Sequence, residues 1–240
     1  MKKWIALLLA LVLLSMTACG AQAATETAVE SAVEAPAAEE AAEAPAAQEE
    51  AEVSAEDALG TKVDNVYASG MLGIRADFGD DWTILSDEEV AQVMGYTADS
   101  ISDKDLAELL RNSGSTCDLY AMANDQSGDN VNIQLEDLGI IYGIALNEQK
   151  YAELAAPQLE KAFGQMGVSN IKIETGTYSF AGKDRVSLQI TGETNGMTIY
   201  ERMVLIKSGK YMATITAFSL QESSIDTVLN RFEAAAWART

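Results

Sequence analysis

The 240-residue sequence has no histidine, two cysteines, three prolines, and 16 basic residues against 37 acidic ones. Without histidine, the chain lacks the commonest general base and the commonest neutral metal ligand, which excludes Ser-His-Asp and Cys-His mechanisms as they are normally built. The net charge of -21 repels phosphate backbones, so nucleic acid is not an expected partner, and it argues against a basic patch for anionic lipid. No Walker A, dinucleotide-binding or CxxC motif occurs, and no cofactor is predicted.

The start of the chain is typical of an export signal. Lys2 and Lys3 precede an unbroken apolar run of 11 residues, from Trp4 to Leu14. As a helix at ~1.5 Å per residue, this run would span ~17 Å, well short of the ~30 Å hydrocarbon core of a bilayer. The pattern therefore predicts a signal peptide rather than a membrane-spanning helix.

The end of this run indicates how the signal is processed. Thr17 and Ala18 stand immediately before Cys19, and Gly20 follows it. This arrangement resembles the lipobox of bacterial lipoproteins, with Met16 where that motif usually has leucine. The resemblance implies cleavage after residue 18 and lipid attachment at Cys19. Because two or more acyl chains anchor a protein firmly, we expect an exported protein, held by lipid at the outer face of the cytoplasmic membrane.

An acidic, low-complexity segment follows the cysteine. Gly20 to Gly60 holds eleven acidic residues, no basic one, and an imperfect repeat, EAPAAEEAA then EAPAAQEEA. Pro36 and Pro45 interrupt any helix, and like charges extend the chain. We therefore interpret residues 1–18 as a lipoprotein signal peptide, 19–60 as the lipidated cysteine with a disordered tether, and 61–240 as a globular domain. A coil of ~40 residues reaches roughly 35 Å on average.

The globular part contains runs of strands between helices. MLGIRADF places Leu72, Ile74, Ala76 and Phe78 on one side of a strand, with TKVDNVYASG as its hairpin partner. Further strands are predicted at 117–123, 130–138, 170–180, 183–192, 197–207 and 210–219. Helices are predicted at 86–95 with a Ser86–Glu89 capping box, at 102–114, from Asn147 with a kink or break at Pro157, and through 225–236 with Ser223 or Ser224 as cap. This order predicts an α+β fold with a mainly antiparallel sheet.

The order of elements resembles the Mog1/PsbP-like fold, an antiparallel sheet sandwiched by helices. GIRADFGDDW, from Gly73 to Trp82, is similar to the early strand and Gly-Trp turn of that group, with Asp80 and Asp81 where the family usually has a proline. The chain is also similar to clostridial lipoproteins of unknown function. Members of the wider group mostly bind proteins, including a small GTPase and the photosystem II core, so the resemblance implies a binding role.

Few residues of the globular part are candidates for chemistry. Cys117 could be a nucleophile, but with no histidine to activate it we favour a small apolar strand residue. It could form a disulfide only if Cys19 were free. Two acidic groups could hold calcium, although neither matches an EF-hand loop: Asp77, Asp80 and Asp81, and Asp125 with Asp129. No catalytic, cofactor-binding or metal-binding residue is assigned. Trp82 is expected to pack beneath the turn from strand to helix.

Two strands show a polar side that could form a binding surface. Residues 130–136 and 185–191 both alternate apolar residues with Asn, Gln, Ser or Thr. If helices leave that side uncovered, it would form a flat platform on which a protein or glycan could dock. The other interpretation is plain exposure to solvent.

Three functions stay open from the sequence. We favour a surface-tethered, non-catalytic module that binds a protein, peptide or glycan. An exported hydrolase is the alternative, because paired carboxylates alone can serve glycoside chemistry. An envelope assembly factor is the third. The oligomeric state is not predicted.

Overall fold

The computed structural model describes residues 58–93 and 115–235. The predicted signal peptide, Cys19, the tether up to residue 57 and the predicted helix at 102–114 lie outside the described residues. The last three tether residues belong to the folded part, where Ala58 is buried and the Gly60 N–H donates to Asp118. The described elements are β1 (Thr61–Val63), β2 (Val66–Ser69), β3 (Ile74–Asp77), β4 (Trp82–Ile84), α1 (Asp87–Val93), β5 (Ser115–Ala123), β6 (Asn130–Asp137), α2 (Gly139–Ala145), α3 (Glu148–Gln165), β7 (Ser169–Phe180), β8 (Lys183–Thr194), β9 (Met197–Ser208), β10 (Tyr211–Ser219), α4 (Glu222–Leu229) and β11 (Phe232–Ala234).

The strands form two antiparallel sheets. The large sheet has the order β4-β5-β6-β10-β9-β8-β7, and the small sheet has the order β1-β2-β3-β11. All strand pairings among the described residues are antiparallel, and short turns require this for strands that follow one another in the chain, such as β7 to β10. The predicted α+β class with a mainly antiparallel sheet is confirmed. The hairpin strands of the small sheet were predicted, but their separation from the large sheet was not, because a sequence pattern does not show which strands share a sheet.

The central strands of the large sheet are buried on both faces, whereas the edge strand β7 is mostly exposed. One face packs on the small sheet and α4 through residues such as Ile133, Val204 and Ile215. The other face packs under α3, through Leu159, Phe163, Leu188 and others. Successive side chains of a strand point to opposite faces, so β9 and β10 supply both cores and read as nearly continuous apolar runs.

The predictions for the four long strands are confirmed. The prediction of 170–180, 183–192, 197–207 and 210–219 differs from β7 to β10 by no more than two residues at any boundary. The strand side formed by Leu72, Ile74, Ala76 and Phe78 is also confirmed, since all four side chains are buried. The predicted partner segment, TKVDNVYASG, is itself a hairpin of β1 and β2. Asp64 and Asn65, both with positive φ, form the turn between these two strands.

The capping box that opens α1 is confirmed. The Ser86 backbone N–H donates to Glu89 Oε2 at 2.8 Å, and the Glu89 N–H donates to Ser86 Oγ at 3.3 Å. These reciprocal bonds satisfy donors that a helix start leaves free. They also hold the pKa of the Glu89 carboxyl below its usual range.

Two helix predictions need correction. α3 runs without a break through Pro157, because that exposed proline removes one backbone donor while Ala155 and Leu159 on either side stay buried. α4 begins after Gln221 rather than at a serine cap, and it ends at Leu229. The apolar residues beyond it, which seemed to continue the helix, form β11 and pair with β3. Ala236 lies outside the described residues.

Candidate functional site

The surface feature that stands out is α2, a seven-residue helix with the sequence GIIYGIA. Its side chains Ile141, Tyr142 and Ile144 are 79%, 63% and 82% exposed. Large apolar side chains that are scattered singly are ordinary, but three on two turns of one helix form a patch that indicates a contact surface. No helix or strand is predicted for this segment from the sequence. The apolar run from Ile140 to Ala145 was the available signal, although it does not distinguish a buried from an exposed helix.

Backbone contacts hold α2 against the turn between β9 and β10. The Leu138 N–H donates to the Lys210 carbonyl at 2.9 Å, and the Gly139 N–H donates to Asp137 Oδ1 at 2.8 Å. Gly143 faces the same turn so closely that a Cβ there would lie 2.9 Å from Lys210 Cα. Glycine is therefore required at this position by the close approach of two backbones.

The junction between α2 and its neighbours is also fixed. Lys210 Nζ lies 2.9 Å from Asp137 Oδ2, and this carboxylate raises the pKa of the exposed Lys210. Asn147 follows α2 and caps α3 by accepting from the Lys150 N–H at 2.9 Å. The apolar side chains of α2 are thus presented from a base that is bonded at both ends.

The two ends of the large sheet differ in charge. Loops 79–81 and 124–129 meet at the end opposite α2, where the Asn124 N–H donates to the Asp81 carbonyl. These loops contain Asp80, Asp81, Asp125 and Asp129 and no basic residue. We call this the acidic end and the other the α2 end. Basic and acidic residues are balanced at the α2 end: Lys150, Lys183, Arg185, Lys207 and Lys210 against Glu136, Asp137, Glu148 and Asp184.

The acidic residues weighed as calcium ligands are brought to the acidic end but are engaged separately. Asp81 Oδ2 lies 2.7 Å from Arg231 Nη2, and Asp129 Oδ1 accepts from Ser219 Oγ at 2.7 Å. Asp125 accepts from the Ser127 N–H within its own loop. In the described part of the chain, no three His, Cys, Asp or Glu side chains are grouped so that they could hold a metal ion.

These bonds shift two pKa values downward. The hydrogen bond from Arg231 holds the pKa of the Asp81 carboxyl below its usual range. The hydrogen bonds from Ser127 do the same for Asp125. Arg231 also lies over the Trp82 ring, 4.9 Å from its centroid, and Trp82 itself is buried as predicted.

Cys117 is half-buried at a β-bulge of β5. Its thiol donates to the Leu119 carbonyl at 3.4 Å, and burial raises the pKa of the thiol to about 12. A thiol with that pKa carries almost no thiolate at neutral pH. This environment favours the interpretation of Cys117 as a packing residue. Cys19, the predicted lipid attachment site, lies outside the described residues.

The predicted polar platform is wrong. The polar residues of β6, including Asn130 and Asn132, face the α3 side of the large sheet and are buried. Those of β8, including Ser187 and Gln189, face the opposite side, where Gln189 accepts from Arg202. Alternation along one strand defines two sides but does not say which side a neighbouring strand shares, so the two stripes could not be matched from sequence.

One buried carboxyl was missed by the sequence analysis. Glu201 on β9 is 4% exposed, and its ladder neighbours are Phe218 and Ile190. Its Oε2 has no hydrogen-bond partner within the described residues, and burial raises the pKa of the carboxyl to about 8. The sequence did contain a signal of this burial, because Glu201 lies two residues from Ile199 and two from Met203, on the same side of the strand. Because Glu201 is closed off from solvent, it contributes to the free energy of unfolding and not to a binding surface.

No protein-family model matches the chain, and no curated protein matches it. Among solved structures, it is similar to cyanobacterial PsbP from Synechocystis sp., with a TM-score of 0.43 at 8% identity over 70% of this chain and 91% of that one. It is also similar to LpqN, described as involved in cell envelope biogenesis of Mycobacterium tuberculosis, with a TM-score of 0.36 at 13% identity over 66% and 76%. Because these TM-scores lie below 0.5, we draw no functional conclusion from them.

Among the residues that the structure describes, no helix combines the length and apolar character needed to cross a bilayer.

Proposed function

We propose that the chain is an exported lipoprotein, anchored through lipid on Cys19, whose folded domain is a non-catalytic binding module for a protein, peptide or glycan. The observation that carries the proposal is the state of the carboxylates, because Asp81, Asp118 and Glu136 are each held by a structural partner. The patch of Ile141, Tyr142 and Ile144 on the firmly held α2 adds a surface that suits non-covalent contact.

The state of the carboxylates supports binding over hydrolysis. Asp81 pairs with Arg231, Asp118 accepts from Tyr67, Glu136 accepts from Tyr151, and Glu201 is sealed. A glycosidase needs two carboxyl groups roughly 5–10 Å apart around an accessible bond. Hydrogen-bond or ion-pair partners hold the first three carboxylates in structural roles, and burial separates Glu201 from solvent.

The anchor is tested by the modification state of the mature amino terminus. Mass spectrometry of the wild-type chain should find Cys19 at the terminus carrying acyl groups. Cys19→Ser should lose this modification and shift the protein from the membrane fraction to the soluble exported fraction, whereas Cys117→Ser should change neither. An unmodified Cys19 thiol or an uncleaved leader in the wild-type protein would refute the anchor.

The binding role is tested in intact cells. The full chain is cross-linked at the cell surface, recovered, and compared with recovery from cells that lack it. We expect an enriched protein, peptide or glycan in the cross-linked fraction. Repeated recovery of nothing beyond the control would argue for abandoning the binding module.

A further inference from the structure

The tether meets the folded domain on the side of α2. At the first described residues, the Gly60 N–H donates to both carboxylate oxygens of Asp118, at 2.9 and 3.1 Å. Asp118 lies near the start of β5, whose first residue, Ser115, pairs with Glu136 at the α2 end. The other terminus follows the same direction, since the Ala235 N–H donates to the Gly73 carbonyl. Both ends of the described domain therefore lie toward α2.

The charge distribution also favours an orientation in which α2 faces the membrane and the acidic end faces away from it. β6 separates loop 124–129 from α2, and its eight residues at ~3.3 Å each span about 25 Å. The Debye length at physiological ionic strength is only ~8 Å, so the acidic end would be screened from a surface that α2 touches. The folded part of the α2 end carries basic as well as acidic side chains, so it would meet less repulsion there than the acidic end would.

The size and composition of the patch suit a lipid interface better than a protein interface. Even at about 200 Å² each, three side chains fall short of the ~800 Å² per partner that a stable protein interface takes. A lipid interface needs no matching groove, and it favours tyrosine at the headgroup level with aliphatic side chains just below. A second copy of the chain or a partner protein would need further apolar area around α2.

We infer that α2 inserts Ile141, Tyr142 and Ile144 into the headgroup–acyl boundary of the bilayer that carries the anchor, which turns the acidic end outward. The inference rests on the proposed function, because it takes its membrane from lipidated Cys19. The anchor would hold the protein at the membrane, and α2 would set the orientation of the domain. The partner of the binding module would then be met at the surfaces that face away from the lipid.

The test uses the full lipoprotein, purified from membranes and reconstituted into phosphatidylcholine vesicles. In a Cys117→Ala background, Ile144→Cys or Met197→Cys carries an environment-sensitive fluorophore, and lipids spin-labelled near the headgroup are the quencher. Met197 is the matched control, because it is an exposed apolar residue at the acidic end of β9. We expect quenching at position 144 and little at 197. Adding Ile141→Ser should lower the ratio of docked to undocked α2 about tenfold.

Three results would overturn the inference. One is equal quenching at positions 144 and 197. Another is shielding at 144 that appears only with rising protein concentration, which would indicate a second copy. The third is a protein cross-linked through position 144 in cells and lost with Ile141→Ser. Failure of the proposed anchor is seen separately, as an unmodified Cys19. In that event the same quenching, measured with the unacylated protein at vesicle excess, still decides whether α2 enters lipid.

Discussion

Replacing the buried glutamate by its neutral isostere should stabilise the protein, and the gain should depend on pH. Burial raises the pKa of Glu201 from an ordinary value of 4.5 to about 8. Between these values the unfolded chain releases a proton that the folded chain keeps, so the free energy of unfolding falls as pH rises. Below pH 4.5 the carboxyl is neutral in both states, and above pH 8 it is ionised in both. The loss therefore occurs between about pH 4.5 and 8.

The magnitude follows from the shift. One pKa unit corresponds to about 1.4 kcal/mol, so Glu201→Gln should gain about 3 kcal/mol at pH 7 and roughly 5 kcal/mol at pH 9, relative to its difference from wild type at pH 4. Between pH 5.5 and 7.5 the difference should grow by nearly 1.4 kcal/mol per pH unit. A gain of this size is a large fraction of the stability of a typical domain.

The assay is urea unfolding followed by tryptophan fluorescence at pH 4 to 9, with the midpoint and slope compared at each pH. Glu174→Gln is the matched control, since it removes one negative charge from an exposed site on β7. A difference between Glu201→Gln and wild type that stays constant across this range would refute the reasoning. It would mean that Glu201 is solvated or paired in the folded protein.

Two further substitutions test the packing around α2 and the entry of the tether. Gly143→Ala should lower the thermal midpoint of unfolding, because its Cβ would lie only 2.9 Å from Lys210 Cα. The control Gly164→Ala, which has open space on α3, should leave the midpoint unchanged or raise it. Equal midpoints for the two variants would contradict the close approach. Tyr67→Phe should cost about 1–3 kcal/mol in urea unfolding, because it removes the 2.6 Å hydrogen bond to buried Asp118, and an unchanged midpoint would show that this bond contributes nothing net.

Local features of the fold were predictable because their causes are local. The Ser86–Glu89 capping box involves residues three apart, and its reciprocal bonds form as predicted. The long strands β7 to β10 alternate or stay apolar and are joined by short turns, so their limits follow from the sequence. The lipobox resemblance around Cys19 is equally local, and it stays a prediction until the amino terminus is measured.

The pairing of β11 and the direction of the polar side chains depend on contacts between residues that are distant in the sequence. Phe232 continues a helical pattern from α4, yet the chain turns there because β3 offers an unpaired edge. The polar stripes of β6 and β8 face opposite sides because the pairing register through β10 and β9 puts Asn132 of β6 in one row with Leu188 of β8.

The sequence by itself determined the acidic character of the chain and predicted the long strands and the capped start of α1, since each depends on neighbouring residues. The export signal is a prediction of the same local kind. Only the tertiary structure decided that Glu201 is sealed while Ile141 and Ile144 are exposed. Burial depends on which surfaces the folded chain brings together, so the charged residue could be enclosed and the apolar ones left at the surface.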